Sequence, residues 1–217
     1  MELDNFDYAL DVPTHTLHLI QSTVTYFPGD LTNYDSTLGL TLSTGLAGAR
    51  LTTGGQRVQY TDGSGGQSSA TFHSLADGAT VIPHASDGGW YYTSNSESSS
   101  GGVGAIRFNA AGQVIGYERI LTGTSRNCGG GRTYWGTWVT CEENGSSGRL
   151  YEVDPNTGYT AQINAVDEGG NFESFAYDDL DPVSPRFFTV RFSDNSSCQV
   201  KTGKGSLSLL FSFSFAH

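Results

Sequence analysis

The chain has 217 residues, of which 29 are glycine and only 15% are charged. This composition is typical of short strands joined by tight turns, and it argues against a helical bundle. The formal net charge of −11 disfavours binding to nucleic acid or to an anionic membrane surface, because both require basic patches. The same charge suits a protein that binds divalent cations.

The N-terminus is acidic and lacks the basic and apolar segments of a secretory signal peptide. No apolar stretch approaches the roughly 18 residues that a membrane span requires. Taken literally, these residues indicate a cytosolic protein without membrane association, although a missing upstream segment would give the same appearance.

The first 44 residues are weakly patterned, and we treat 1–44 as an N-terminal segment. From residue 45 onward, strand and turn signals alternate regularly. Residues 50–53 and 56–60 flank a Gly-Gly pair, which predicts a hairpin. Further short strands, rich in β-branched and aromatic residues, are predicted at 70–75, 79–83, 90–94, 105–109, 114–121, 133–140, 150–154, 159–166 and 186–192.

An internal repeat emerges when Glu97 is superposed on Glu143, at an offset of 46 residues (143 − 97). Each glutamate ends a strand and is followed by a Gly/Ser loop, a strand, a turn and another strand. The same offset applied again reaches residue 189, inside a third predicted strand. A period of this length, with about four short strands, is typical of a β-propeller blade. The sequence therefore predicts an all-β fold: a partial β-propeller of about three to four blades over residues 45–195.

Equivalent strand ends of successive blades meet near the central channel of a propeller, so the polar residues at these ends are expected to share one site. Around the central strand end, a cysteine thiolate would suit a transition metal, and carboxylate and amide oxygens would suit calcium or iron. The alternative is an ordinary set of acidic loop residues. The residues concerned are Asn95, Glu97, Cys141, Glu142, Glu143, Asn144 and Asp194.

Two cysteines flank the glycine triplet at 129–131. Cys128 and Cys141 are 13 residues apart (141 − 128) and could form a disulfide across a hairpin in an oxidising compartment. Alternatively, Cys141 is a free thiolate that binds metal. The spacing leaves both alternatives open.

The end of the chain, residues 196–217, is of low complexity. Leu and Phe alternate with Ser, a pattern that could form a strand with one buried face. We interpret this segment as a tail, and a gene-model artefact is one hypothesis for its origin.

Several of these segments together resemble the PhoX-type alkaline phosphatases. The most specific is 135–143, Trp-Gly-Thr-Trp-Val-Thr-Cys-Glu-Glu, and the resemblance covers roughly residues 46–190. It implies a β-propeller with an iron–calcium cluster that hydrolyses phosphate monoesters in a secreted or periplasmic-like location. The supporting segments are 72–78, 87–97, 101–108, 127–131, 151–155 and 173–178.

The resemblance also implies roles for individual residues. Cys141 would bind iron, and Glu142 or Glu143 together with Glu173 would bind metal. Asn95 and Glu97 would lie at the rim, near metal or phosphate. The chain departs from the family where Phe172 precedes Glu173, since a histidine is common there. It also lacks the Thr-Glu-Asp motif expected soon after residue 188.

The expected function is therefore a metal-dependent phosphate monoester hydrolase of the PhoX type, truncated, acting on a small phosphorylated substrate. Whether the chain is active alone is left open, and self-association through open propeller edges is expected. The alternative is a non-catalytic propeller module for binding or structure, with a disulfide between Cys128 and Cys141.

Overall fold

The computed structural model describes residues 6–11, 16–21, 31–43, 46–164, 169–178, 186–192, 197–202 and 212–214. The chain divides into two compact units, residues 1–50 and 51–217. Among the described residues the regular structure is β-strand, apart from a single 3-10 turn at Gly145–Ser147. In that part of the chain no helix is long and apolar enough to cross a membrane. The predicted boundaries after residues 44 and 195 stay predictions.

The first unit contains two antiparallel hairpins. Strand β1 (Phe6–Asp11) pairs with β2 (Thr16–Gln21), and β3 (Leu31–Asp35) pairs with β4 (Leu40–Ser43). In the second hairpin the Asp35 carboxylate accepts the backbone N–H groups of Thr37 and Leu38, which fixes the turn.

The second unit begins with a hairpin of β5 (Arg57–Gln59) and β6 (Gln67–Thr71). Three four-stranded sheets follow, and in each sheet every strand pairs antiparallel with the next one along the chain. We call them sheets A, B and C. Sheet A contains β7 (Ala76–Pro83), β8 (Trp90–Ser96), β9 (Val103–Phe108) and β10 (Val114–Leu121). Sheet B contains β11 (Asn127–Arg132), β12 (Trp138–Glu142), β13 (Leu150–Asp154) and β14 (Tyr159–Gln162). Sheet C contains β15 (Asn171–Asp178), β16 (Arg186–Phe192), β17 (Ser197–Thr202) and β18 (Ser212–Ser214).

The sequence-based prediction of an all-β, partial propeller-like fold is confirmed. Each four-stranded meander has the strand number of a propeller blade. The β17 and β18 strands lie in the predicted tail, whose residues 196, 203–211 and 215–217 are outside the described residues.

Several predicted strands are wrong in detail. The strand predicted at 70–75 is observed at Gln67–Thr71, and the one predicted at 159–166 ends at residue 162. Residues 50–53 form no strand, and β5 pairs instead with β6, across the loop in which Asp62 accepts the N–H of Ser64. The long strand predicted at 133–140 is interrupted by a turn. There the Thr133 hydroxyl accepts the N–H of Thr137 at 2.9 Å, and β12 begins only at residue 138.

Hydrophobic clusters fill the spaces on successive sheet faces. The first joins the β5–β6 hairpin to sheet A, the second lies between sheets A and B, and the third lies between sheets B and C. Their buried members are Val58, Phe72, Ile106, Phe108, Val114 and Tyr117 in the first, Ile82, Val103, Leu121, Trp138 and Val153 in the second, and Val139, Cys141, Leu150, Phe172 and Phe175 in the third.

Strand β12 is buried on both faces, because it lies between the second and third clusters. Successive side chains of a strand point to opposite faces. Trp138 therefore packs in the second cluster, whereas Val139 and Cys141 pack in the third. A strand covered on both sides carries no alternation of polar and apolar residues, which matters for the site described below.

Strand β11 packs closely against β7 of sheet A and β15 of sheet C. A Cβ atom added at Gly129 would lie 1.7 Å from the carbonyl oxygen of Glu173, and one at Gly131 would lie 1.9 Å from that of Phe175. The glycine triplet therefore allows close approach to the neighbouring strand.

Candidate metal centre

Five ionisable side chains converge at one edge of sheets A, B and C. They form two groups that share the Cys128 thiol, and within each group the potential ligand atoms all lie within 4.8 Å of one another. The first group is Asp77, Glu97 and Cys128, and the second is Cys128, Glu143 and Glu173. We call these five residues the thiol–carboxylate cluster.

The topology of the sheets explains the convergence. Asp77, Cys128 and Glu173 lie near the starts of β7, β11 and β15, the first strands of their sheets. Glu97 and Glu143 directly follow β8 and β12, the second strands. In an antiparallel pair, the start of one strand and the end of its neighbour lie at the same edge.

The same backbone arrangement fixes both glutamates that follow a second strand. The N–H of Glu97 donates to the carbonyl of Leu75 at 2.9 Å, and that of Glu143 donates to the carbonyl of Arg126 at 2.9 Å. Leu75 and Arg126 have φ angles of 48° and 50°, and no other non-glycine residue described has a positive φ. Each lies two residues before a member of the cluster. Positive φ angles at non-glycine residues cost conformational energy and are frequent at functional sites, and here they occur just before the first strands of sheets A and B.

The thiol–carboxylate cluster brings together acidic groups that disfavour one another's negatively charged forms. The Cys128 Sγ donates to a Glu173 carboxylate oxygen at 3.1 Å. Burial raises the pKa of the Cys128 thiol well above its usual range, and hydrogen bonds and charges from Glu173 and Asp77 add to the rise. Burial also raises the pKa of Glu143, as does the charge of Glu173, while the Arg126 guanidinium opposes the rise. A bound cation would reverse these shifts by favouring the charged forms.

The donor set fits a mixed metal centre. A cysteine thiolate is a soft ligand that suits iron and other transition metals, whereas carboxylate oxygens suit calcium. One thiol shared between two groups of carboxylates could therefore serve two cations of different hardness.

Cys141, the iron ligand implied by the resemblance, lies elsewhere. Its side chain is fully buried in the third hydrophobic cluster. Burial raises the pKa of its thiol to about 12; a hydrogen bond with Thr189 opposes the shift, and the charge of Glu173 adds to it. The structure brings Cys128, and not Cys141, into the cluster with the carboxylates.

Glu142 also points away from the cluster. It is only 4% exposed, and its two carboxylate oxygens accept the backbone N–H groups of Ser125 at 2.7 Å and of Arg149 at 2.9 Å. This carboxylate ties two loops together, so its oxygens are already occupied by backbone donors.

The remaining predicted site residues are placed as follows. Glu97, Glu143 and Glu173 belong to the cluster, whereas Asn95 is completely buried behind it. Asn144 precedes the 3-10 turn and makes no side-chain capping bond there. Asp194 lies outside the described residues.

Cys128 and Cys141 are both free thiols in the structure, so the disulfide considered as an alternative is not formed. Cys128 faces the carboxylates, while Cys141 packs into the core between sheets B and C.

Sequence reasoning missed Asp77 as a site residue and treated Cys128 only as half of a disulfide. A signal for both was present, because each is the second residue of the first strand in its sheet. Their offset is 51 residues (128 − 77), whereas the second-strand glutamates are offset by 46. A single repeat length therefore could not align Asp77 with Cys128 and also align Glu97 with Glu143. In addition, Asp77 precedes a glycine, and because Asp-Gly is a common turn signal, the sequence predicted a turn there and not a metal ligand.

Stacked four-stranded meanders with a thiol and four carboxylates at one edge define a propeller-like protein with a candidate metal centre. The family model of the alkaline phosphatase PhoX matches residues 60–191, a range that includes all five members of the cluster. The chain belongs to the PhoX alkaline phosphatase family, and the function of that family is of the phosphatase type. No curated protein and no solved structure matches the chain.

Proposed function

We propose that this chain is a metal-dependent phosphate monoester hydrolase, and that the thiol–carboxylate cluster is its metal centre. The observation that carries the proposal is the convergence of two carboxylate pairs on one thiol, with the potential ligand atoms of each group within 4.8 Å of one another. The family match supports the same reaction class. We propose iron and calcium as the cations, because the cluster combines soft and hard donors.

In this proposal Cys128 is shared by both groups of ligands. Asp77 and Glu97 complete one group, and Glu143 and Glu173 complete the other. When bound, iron and calcium would supply Lewis-acid stabilisation of charge on the phosphoryl oxygens of the substrate. The thiol proton that Cys128 Sγ donates to Glu173 would be released on binding, since only the thiolate is a ligand.

Arg126 supplies a cation beside the cluster. Its side chain is exposed, and its charge opposes the rise in the pKa of Glu143 that burial causes. In a chain of net charge −11, an anionic substrate needs local positive charge to approach. We propose that Arg126 and the bound cations together attract a small phosphorylated substrate.

The test compares two cysteine variants of the full chain, Cys128→Ser and Cys141→Ser. Iron and calcium contents are measured by elemental analysis, and turnover is measured with a phosphomonoester at alkaline pH. We expect Cys128→Ser to lose iron and activity. We expect Cys141→Ser to keep its iron, since its thiol packs in the core. Thermal unfolding of both variants controls for loss of fold.

Two outcomes would contradict the proposal. Loss of iron in Cys141→Ser alone, with its fold intact, would move the centre to Cys141 as the resemblance implies. A folded wild-type chain that binds neither cation and shows no turnover would favour a non-catalytic binding or structural module.

A further inference from the structure

Asn95 lies directly behind the thiol–carboxylate cluster and is completely buried. Its amide nitrogen donates to the backbone carbonyls of Cys128, at 2.5 Å, and of Gly129, at 2.8 Å. Its amide oxygen accepts the indole N–H of Trp138 at 2.9 Å. The side chain thereby links the end of β8 in sheet A to β11 and β12 in sheet B.

The chemistry of the partners fixes the orientation of this amide. An indole N–H can only donate, so the group that it contacts must be the amide oxygen. Backbone carbonyls can only accept, so the group that contacts them must be the NH₂. Both N–H groups and one oxygen lone pair of Asn95 are therefore occupied inside the protein. The residue is too deeply buried to reach a metal, and it has no free N–H to donate to a phosphate.

Cys128 is consequently held from two sides. On one side Asn95 holds its carbonyl and that of Gly129. On the other side the absence of a side chain at Gly129 lets β11 lie against the carbonyl of Glu173. This packing fixes the separation between the Cys128 thiol and the Glu173 carboxylate, which is 3.1 Å.

We propose that Asn95 is a positioning residue that holds the Cys128 thiol in register with the carboxylates, supported in turn by Trp138. The inference rests on the proposed function, in that Cys128 is taken as a metal ligand. Residues that orient a ligand from behind commonly affect metal affinity by about 10–100-fold without touching the metal.

The principal test is Asn95→Asp, which keeps the size of the side chain but removes the NH₂ donor. An acidic oxygen would then face two carbonyl acceptors, so the hold on Cys128 is lost. Cobalt(II) serves as the probe, because a cobalt–thiolate bond gives a charge-transfer absorption that reports on Cys128 itself. We expect cobalt affinity to fall about 10–100-fold and this absorption to weaken.

A second readout needs no metal. The rate at which Cys128 is alkylated in the metal-free chain, followed by peptide mapping, reports how firmly the thiol is held. We expect an increase of at least about tenfold in Asn95→Asp, since two buried hydrogen bonds are removed. If wild type binds no cobalt, the proposed function fails, whereas the alkylation rate still decides whether Asn95 holds Cys128.

Two further variants complete the design. Trp138→Phe removes the indole N–H that orients the Asn95 amide. We expect it to lower cobalt affinity and to raise the alkylation rate of Cys128, both by less than Asn95→Asp does. If Asn95→Asp does not fold, Trp138→Phe decides the question. Val153→Ala is the matched control, because Val153 is a fully buried neighbour in the second hydrophobic cluster without a bond to Cys128. It should lower the unfolding temperature and leave the thiol signals unchanged.

The inference is overturned if folded Asn95→Asp keeps wild-type cobalt affinity, charge-transfer absorption and alkylation rate. It is also overturned if Val153→Ala reproduces the changes at equal loss of stability, since the effect would then be general destabilisation.

Discussion

Gly129→Ala tests the close packing of strands β11 and β15, on which the geometry of the cluster depends. The added Cβ atom would lie 1.7 Å from the carbonyl oxygen of Glu173, and ordinary contact begins at 3.4 Å. The shortfall is 1.7 Å (3.4 − 1.7). The obstacle is backbone, so the two strands must move apart and no side-chain rotation can relieve the clash.

The expected cost follows from this geometry. Overpacking a well-packed site typically costs about 1–3 kcal/mol, and a clash between two backbones belongs at the upper end, about 3 kcal/mol. For a chain of this size each kcal/mol lowers the unfolding temperature by about 2–4 °C, which gives a decrease of about 6–12 °C. Separating β11 from β15 also moves the Cys128 thiol from Glu173, so metal affinity should fall as well.

The assay is thermal unfolding by circular dichroism, with metal content measured on the same samples. Gly116→Ala in β10 is the matched control, because its added Cβ would meet the Arg107 Cβ at 3.3 Å, close to ordinary contact. We expect that variant to unfold within about 2 °C of wild type. An equally small change in Gly129→Ala, with metal content unchanged, would refute the close approach of the two strands.

Three further predictions concern ionisable groups. Glu142→Gln should lower the free energy of unfolding by about 1–2 kcal/mol, because its amide nitrogen cannot accept a backbone N–H, and should leave calcium affinity unchanged. Glu143→Gln should lower calcium affinity, measured by calcium titration, and leave the free energy of unfolding unchanged. A calcium affinity equal to that of wild type would remove Glu143 from the centre. Burial lowers the pKa of His73 to about 4 from 6.5, so the unfolded chain takes up this proton first and stability falls as pH drops from about 6.5 to 4. His73→Gln should flatten this part of the pH profile of unfolding, and parallel profiles would contradict the assignment.

Much of the fold could be predicted from local signals. Turn residues and β-branched runs located most strands of sheets A and B, and the repeat indicated successive units of about four strands. The hairpin predicted around residues 54 and 55 is not formed, because contacts with distant residues determine that β5 pairs with β6. Val58 packs in the first cluster, and Thr61 donates to the carbonyl of Val114 in sheet A. A local turn signal carries no information about such contacts.

The site was predictable only where the repeat was regular. It located Glu97 and Glu143, since both follow a second strand. The repeat did not indicate whether Cys128 or Cys141 faces the carboxylates. Cys141 lies on β12, which is buried on both faces and shows no alternation of polar and apolar residues. The choice depends on which face of which strand meets the carboxylates, and that is set by the packing of sheets B and C.

The thiol–carboxylate cluster draws its members from three sheets, and this determines how it can form. Asp77 and Glu97 come from sheet A, Cys128 and Glu143 from sheet B, and Glu173 from sheet C. No single sheet supplies three of these side chains, so the cluster exists only when neighbouring sheets are packed together. Because a metal that binds the assembled site stabilises it against the unfolded chain, metal binding and the packing of the sheets must be thermodynamically linked. The glycines of β11 and the buried amide of Asn95 act at these same sheet interfaces, so the elements that pack the sheets also set the distances between the ligands.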